Sequence, residues 1–335
     1  MDFKNKLFDI AYLIRTFDEP IFKKNIELYK KNNIIPQLTC ILTSDDAGSI
    51  SYAKGIKNIC KKYNINFVLD NVSSKLELEK KIMYYNNDNN THGIIVMYPT
   101  PFNIKDTYFM NLVSIEKDVE GLNHEYMGYL VQHEFYSDNE NLRKLVIPPT
   151  AKGILYVLKR NYLVYENYFK INGIYPDNLF ENPFKLEGKK IVVINDSLAV
   201  GRSLALMMLN ENASVRVCQK YTDYEDIMKF VSISDIIISA VPSEKFRIPT
   251  KYIPGNSIVF DIAFEGNFEY PDVFDKVFKI SPKWNLVKKG NRINDMTLHR
   301  LISNLFYLVN RKLPENDLRE LKNFEKKYSK GGDLS

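Results

Sequence analysis

The residues best placed to do chemistry lie where Ile191-Val192-Val193-Ile194 gives way to Asn195-Asp196-Ser197 and then to residues 199–208. The β-branched run has the composition of a strand buried on both faces of a parallel sheet. Residues 199–208 are rich in helix formers with apolar residues at helical spacing. The three polar residues between accept turn geometry and cap helix N-termini. A strand, a tight turn and a helix whose positive end faces the turn make an anion-binding crevice. Residues 213–218 then supply the second strand of a βαβ unit. Of a G-x-G-x-x-G fingerprint only Gly201 is present, so spacing leaves two readings open: a nucleotide site, or an ordinary βαβ unit. Metal chemistry finds no support. Cys40, Cys60 and Cys218 are widely spaced and read as reduced core residues. His92, His124, His133 and His299 form no i, i+4 pair.

The elements that would position this turn follow from pattern and length. A chain of 335 residues exceeds the usual size of one core, so two domains are expected. A net charge of +5 is mild and its lysines are scattered, which argues against nucleic-acid binding. No stretch approaches 18 apolar residues and no hydrophobic leader opens the chain; the expectation is a cytoplasmic protein without a membrane segment. Residues 3–32 read as mostly helical. Strands are expected at 36–43, 66–69 and 92–99, with helices at 51–63 and 75–85, giving a first parallel α/β domain. Ser49 is a candidate N-cap. Pro148 and Pro149 mark a domain crossing, and residues 151–160 a helix that carries the chain over. Residues 161–183, aromatic and without period, read as a loop insertion. Further buried strands are expected at 235–240 and 257–262. A last helix at 297–312 carries an apolar stripe of Leu298, Leu301, Ile302, Leu305 and Leu308. The tail 326–335 reads as frayed.

Seven segments, in order across most of the chain, resemble a known family. They are Asp45-Asp46 through Ser49 and Tyr52; Gly93 to Val96 with Pro99; Lys117-Asp118-Val119-Glu120-Gly121; Pro148 with Thr150 and Gly153; Ser197 to Gly201; Leu206 to Ala213; and Met296-Thr297 with Asn304. On these the chain is identified as a divergent member of the bifunctional methylenetetrahydrofolate dehydrogenase/methenyltetrahydrofolate cyclohydrolases. The resemblance implies two α/β domains around a cleft. Residues 1–147 with 297–335 would form the folate-binding catalytic domain, and 148–296 a Rossmann-type NAD(P)-binding domain. It implies oxidation of a methylene-tetrahydrofolate by hydride transfer to a nicotinamide cofactor, hydrolysis of the methenyl ring, and a homodimer. Carried over residue by residue, the substrate would meet Ser49, Tyr52, Ile56, Val96, Met97, Tyr98 and Glu120. The cofactor would meet Asn195, Asp196, Ser197, Gly201, Lys220, Phe264 and Thr297. Tyr52, Lys57 and Glu120 are the catalytic candidates.

Four departures from the family's pattern fall on these positions. The family places a general acid/base lysine four residues after the tyrosine; here that residue is Ile56. Loss of such a group costs roughly 100- to 10,000-fold in rate. Lys57 is adjacent but rotated by about 100° on a helix, so its rescue of the role needs a local π-bulge; Lys54 lies on another face. Met97 replaces a glutamine that would tune the lysine, and Glu120 replaces an aspartate at the pterin edge. Asn195-Asp196-Ser197 replaces Gly-Arg-Ser, whose arginine reaches the 2′-phosphate of NADP. Asn195 is expected to take the left-handed conformation that Gly supplies. Asp196 would repel a phosphate, which favours NAD over NADP. Lys220, where the family has a phosphate-contacting serine, either replaces the lost cation or pairs with Asp196, and the pair is favoured. Residues 283–292 replace a glycine-rich segment, and Trp284 there either stacks on a flat ligand or caps the core, the cap being favoured. Two functions follow: a dehydrogenase with impaired cyclohydrolase activity, or a non-catalytic descendant that binds folate, cofactor or a partner.

Overall fold

The computed structural model describes residues 4–172 and 182–328, and these form two compact units. One unit holds residues 15–149 and 298–328; the other holds 4–14, 150–172 and 182–297.

The 15–149 unit is built on three parallel strands, β1 (Gln37–Leu42), β2 (Asn66–Asn71) and β3 (Gly93–Val96), in the order β2-β1-β3. Helices Ala47–Lys62 and Lys75–Asn87 make the crossovers. The first begins earlier than the apolar pattern implies. Asp46, rather than Ser49, is its N-cap, and accepts the Ser49 amide at 2.9 Å. Gly93 opens β3 because a β-carbon there would come within 2.4 Å of Val119 and 2.8 Å of Leu305. The helix Ile293–Asn310 starts in the other unit and enters this one after Thr297, where Leu301, Ile302, Leu305 and Leu308 are buried. Asn304 fixes it by donating to the carbonyls of Val119 and Ile147, both at 2.8 Å. A further helix, Glu315–Glu325, escaped the sequence reading because its apolar face is only Leu318 and Leu321 wide.

The other unit holds five parallel strands: β4 (Lys190–Ile194), β5 (Ser214–Cys218), β6 (Ile236–Ser239), β7 (Ile258–Asp261) and β8 (Lys279–Ser281). Their order is β5-β4-β6-β7-β8. Ile191 to Ile194 are buried, as a strand covered on both faces requires. The three-residue β8 is too short to leave a period. Residues 4–14 pack here rather than with the 15–149 unit, where the expected division put them. Leu7 bridges to Ile280, and Lys6 and Lys279 donate to the Val277 and Asn5 carbonyls at 2.8 and 2.7 Å. Residues 161–172 are not loop: the helix Pro149–Asn172 runs on through them. Aromatic residues do not stop a helix, and residues 161–166 are half-buried all round, which erases the two-faced pattern. Residues 173–181 of the expected insertion, and 329–335 of the expected frayed tail, lie outside the described residues. Among the described residues no helix is long and apolar enough to cross a membrane.

Candidate functional site

Ser49, Tyr52 and Ile56 share one face of the helix Ala47–Lys62, at i, i+3 and i+7. Tyr52 is half-buried against the unit's core. Loss of water, then the Glu120 carboxylate, then Cys40 raise its pKa. Tyr98 is raised well above 10 by desolvation and then by Glu120, Asp118 and Asp106. The structure therefore brings Tyr52, Tyr98 and Glu120 into one electrostatic neighbourhood. Glu120 itself is pushed well above the usual carboxylate range, by desolvation first and Asp118 second, against a hydrogen bond from the Val96 backbone. That contact is the place of Val96, whose own side chain packs into the core.

Ile56 is fully buried and Met97 is 5% exposed; both belong to the apolar cluster that holds Cys40 and Leu298. Met97 donates its amide to Ile41 at 3.0 Å and accepts the Thr43 hydroxyl at 2.8 Å through its backbone alone. Lys54 and Lys57 are exposed. The helix is α-helical from Ala47 to Lys62, without the π-bulge that a rescue by Lys57 requires, so Lys57 is not brought to the cluster. Asp118 is the residue that sequence reading left without a role. It is 4% exposed and accepts the amides of Glu120, Gly121 and Asn123 at 2.9, 3.0 and 2.8 Å. Burial raises its carboxyl to about 6, the backbone N–H groups holding it below what desolvation alone would give. It folds the turn that presents Glu120. The visible signal was an aspartate two and three residues before Glu120 and Gly121, the spacing of an Asx-turn.

In the five-stranded unit, a cavity of about 530 Å³ opens beyond the carboxyl ends of β4, β5 and β6. That is where open α/β sheets take ligands. Asp196, Ser197 and Lys220 line it with Tyr224, Val241 and Phe246. The turn after β4 is held by Asn195, whose Oδ1 accepts the Ser197 amide, the Ser197 hydroxyl and the Gly201 amide at 3.0, 2.7 and 3.1 Å. Its amide donates to the Ala240 carbonyl at 2.9 Å. Asn195 keeps a negative φ, so its contribution is this hydrogen bonding and not the left-handed conformation expected of it. Residues Leu198–Arg202 form a π-helical turn before the helix Ser203–Asn210. Gly201 is obligatory there, because a β-carbon would stand 1.9 Å from the Asn195 carbonyl oxygen. A turn cradled this closely, at the mouth of a cavity of this size, fits the adenosine end of a dinucleotide.

The expected Lys220–Asp196 pair is not formed. Asp196 faces Arg202 instead, with an N···O distance of 3.9 Å. Arg202 stands at the end of the π-helical turn that follows Ser197, and its Nε also donates to the Asp196 carbonyl at 2.9 Å. The far rim of the cavity rests on Asn267, which no sequence motif announced. Its Oδ1 accepts the Ser239 hydroxyl and the Val241 amide at 2.7 and 2.9 Å, and its Nδ2 donates to the Val241 carbonyl at 3.1 Å. Buried Asp261 at the end of β7 accepts the Asn267 amide and the Tyr270 hydroxyl, and burial raises its carboxyl to about 6.

Phe264 and Trp284 stack with ring centroids 5.2 Å apart, and the Arg292 guanidinium lies 5.4 Å over the indole. Trp284 is 40% exposed and Phe264 59%, so the indole does not cap the core. The indole makes a stacked contact with the phenyl ring and a cation–π contact with the guanidinium. Thr297 is buried and donates to the Ile293 carbonyl at 3.3 Å. Among the described residues no group of three or more His, Cys, Asp or Glu could hold a metal ion.

Residues 13–120 match the family described as tetrahydrofolate dehydrogenase/cyclohydrolase, catalytic domain, and residues 177–313 match the NAD(P)-binding domain of the same family. Methylenetetrahydrofolate dehydrogenase (NAD(+)) of Saccharomyces cerevisiae is 32% identical over 315 residues, or 87% of this chain and 93% of that one. Bifunctional protein FolD of Clostridium tetani is 30% identical over 266 residues, 76% of this chain and 84% of its own. The solved structure of the NAD-dependent 5,10-methylenetetrahydrofolate dehydrogenase from Saccharomyces cerevisiae is similar with a TM-score of 0.73 at 27% identity, covering 90% of this chain and 96% of that one.

Proposed function

The chain belongs to the tetrahydrofolate dehydrogenase/cyclohydrolase family, and from that premise we propose that it is a methylenetetrahydrofolate dehydrogenase that uses NAD and retains little cyclohydrolase activity. The observation that carries the reading is Ile56, fully buried among apolar neighbours where the family's proton-transfer lysine would stand. The cofactor supplies a hydride acceptor. Hydride transfer moves no proton at the reacting carbon, so an aliphatic group at position 56 leaves that step its essential parts. Ring hydrolysis is different: water must lose a proton as it attacks, and a positioned acid/base group is worth roughly 100- to 10,000-fold.

The roles of the other residues follow from the same reading. Glu120 meets the pterin edge, whose two N–H donors match the two oxygens of a carboxylate. Glu120 holds its proton unusually tightly while its surroundings are apolar, and those donors draw the carboxyl toward its ionised form. Tyr52 and Tyr98, neutral with raised pKa values, flank it without adding charge. Ser49 lies on the same helix face as Tyr52. Asn195, Ser197 and Gly201 shape the turn against the dinucleotide, with Phe264 and Thr297 as further cofactor contacts. Asp196 favours a free ribose hydroxyl over a 2′-phosphate, and the yeast relative carries NAD(+) in its name. A homodimer in the cytoplasm completes the proposal, on the family resemblance.

The test is to follow hydride transfer and ring hydrolysis separately in the purified protein. Methylene-tetrahydrofolate with NAD should give reduced-nicotinamide absorbance, and faster than with NADP. Methenyl-tetrahydrofolate should decay in the protein's presence at close to its rate in buffer. Hydrolysis as fast as hydride transfer overturns the cyclohydrolase part. Absence of hydride transfer with either cofactor, in folded protein, favours a binding role without catalysis.

A further inference from the structure

The cofactor cavity is lined by one carboxylate, Asp196, and one cation, Lys220, and a second cation, Arg202, stands beside that carboxylate, a placement that gives Arg202 a part the family's turn does not assign. That part for Arg202 rests on the proposed role of the cavity as a dinucleotide site. Asp196 lines that cavity with its side chain 42% exposed, and the Arg202 guanidinium, 60% exposed, stands 3.9 Å from its Oδ2. The bond from Arg202 Nε to the Asp196 carbonyl, at 2.9 Å, anchors the guanidinium over the turn, so it stays where it is when the carboxylate is neutralised. Lys220 lines the same cavity from the end of β5. Among the described residues it makes no ion pair, its Nζ lying 5.7 Å over the Tyr221 ring. Without Asp196, the cavity would keep Lys220 in its lining, with Arg202 beside the vacated position and no carboxylate among the lining residues, an arrangement that suits a phosphate.

We infer that Asp196 sets the choice at the ribose 2′ position in two ways at once: it repels a 2′-phosphate directly, and it occupies the guanidinium of Arg202 that would otherwise bind one. Arg202 is thus a specificity-determining residue held in reserve. An exposed pair at this distance contributes little to stability, so either partner can be changed in a folded protein.

Calorimetric titration of the full chain with 5′-AMP and with 2′,5′-ADP reads the effect without turnover. The wild-type protein should bind 5′-AMP at least as tightly as 2′,5′-ADP. Asp196→Asn should shift the affinity ratio toward 2′,5′-ADP by roughly tenfold or more, the scale of one unscreened charge contact near a protein surface. Adding Arg202→Gln to Asp196→Asn should remove most of that gain, and adding Lys220→Gln should remove less of it. A ratio that stays within about twofold in Asp196→Asn overturns the inference while leaving the dinucleotide site standing. So does a full gain that survives Arg202→Gln, which would assign the phosphate to Lys220 alone. Binding of neither nucleotide by the wild-type protein overturns the reading of the cavity, and the inference with it.

Discussion

The two regions that depart from the family's pattern have changed in opposite ways. In the 15–149 unit, Ile56 and Met97 are apolar where the family resemblance leads one to expect lysine and glutamine, and both are packed into the core at 0% and 5% exposure. In the other unit, Asp196 and Lys220 are still polar, still lining a cavity, and Asp196 has merely exchanged its charge partner. An apolar side chain in a packed core is held by every neighbour it touches, at about 25 cal/mol for each Å² removed from water. A charge at a solvated rim is held by roughly 1 kcal/mol or less. The first kind of change is locked in by packing, whereas the second remains adjustable by single substitutions. On the proposed function, chemistry that needs a proton carrier would go with the first, and recognition of the cofactor would be tuned by the second.

That contrast can be broken at either end. The largest effect is expected from Gly201→Ala, because the atoms a β-carbon would strike belong to the backbone of Asn195 and Asp196. Stability should fall by on the order of 5 kcal/mol, with nucleotide binding lost. Calorimetry that found normal nucleotide affinity would show the turn to be as adjustable as its rim. Next comes Ile56→Lys, which puts an ammonium into a fully buried position. A loss of roughly 3 to 5 kcal/mol near neutrality is expected from urea unfolding. Burial depresses the lysine's pKa below its unfolded value of about 10.4, so the penalty is complete below the folded pKa and fades as pH rises toward the unfolded one. If Ile56→Lys with Met97→Gln instead restores ring hydrolysis at no cost in stability, the position was never locked.

A smaller effect is expected at Asp118. Its carboxyl is raised from 3.8 to about 6, so its stabilisation is complete below about pH 4 and is lost as pH climbs through 6. Asp118→Asn should abolish this part of the pH dependence, roughly 2 to 3 kcal/mol between pH 4 and 7. It should lower stability at acid pH as well, because an amide nitrogen cannot accept the Asn123 N–H. The smallest effect is at Lys57. Exposed and away from the cluster, Lys57→Ala should change stability and hydride transfer within about 0.5 kcal/mol. A large drop in turnover would reinstate it as the proton carrier.

What the sequence made legible was whatever depended on period and on types of residue in order. The buried strands and the turn after β4 could be read that way, since each is a local pattern. Three things could not. Asp46 rather than Ser49 caps the helix because of a side-chain bond that composition does not announce. The helix Pro149–Asn172 outran its pattern because it is half-buried on several sides. Arg202 rather than Lys220 meets Asp196, from the end of a π-helical turn that a 3.6-residue period does not register. Asn267 and Asp261 were beyond reach for another reason. The Ser239 and Val241 partners of Asn267 are more than twenty residues away in the chain, and Asp261, which accepts the Asn267 amide, is set beside Ser239 only by the parallel register of β6 and β7.

The stack of Trp284 on Phe264 beneath Arg292 has an optical consequence. The chain has a single tryptophan, partly open to solvent and in contact with a phenyl ring and a cation in the unit that carries the cofactor cavity. Indole emission therefore watches that unit alone, and the 15–149 unit is dark in this channel. When the protein is melted, fluorescence and far-ultraviolet dichroism will trace one curve if both units come apart together and two if they do not. Nature has left the molecule with a built-in label on one half.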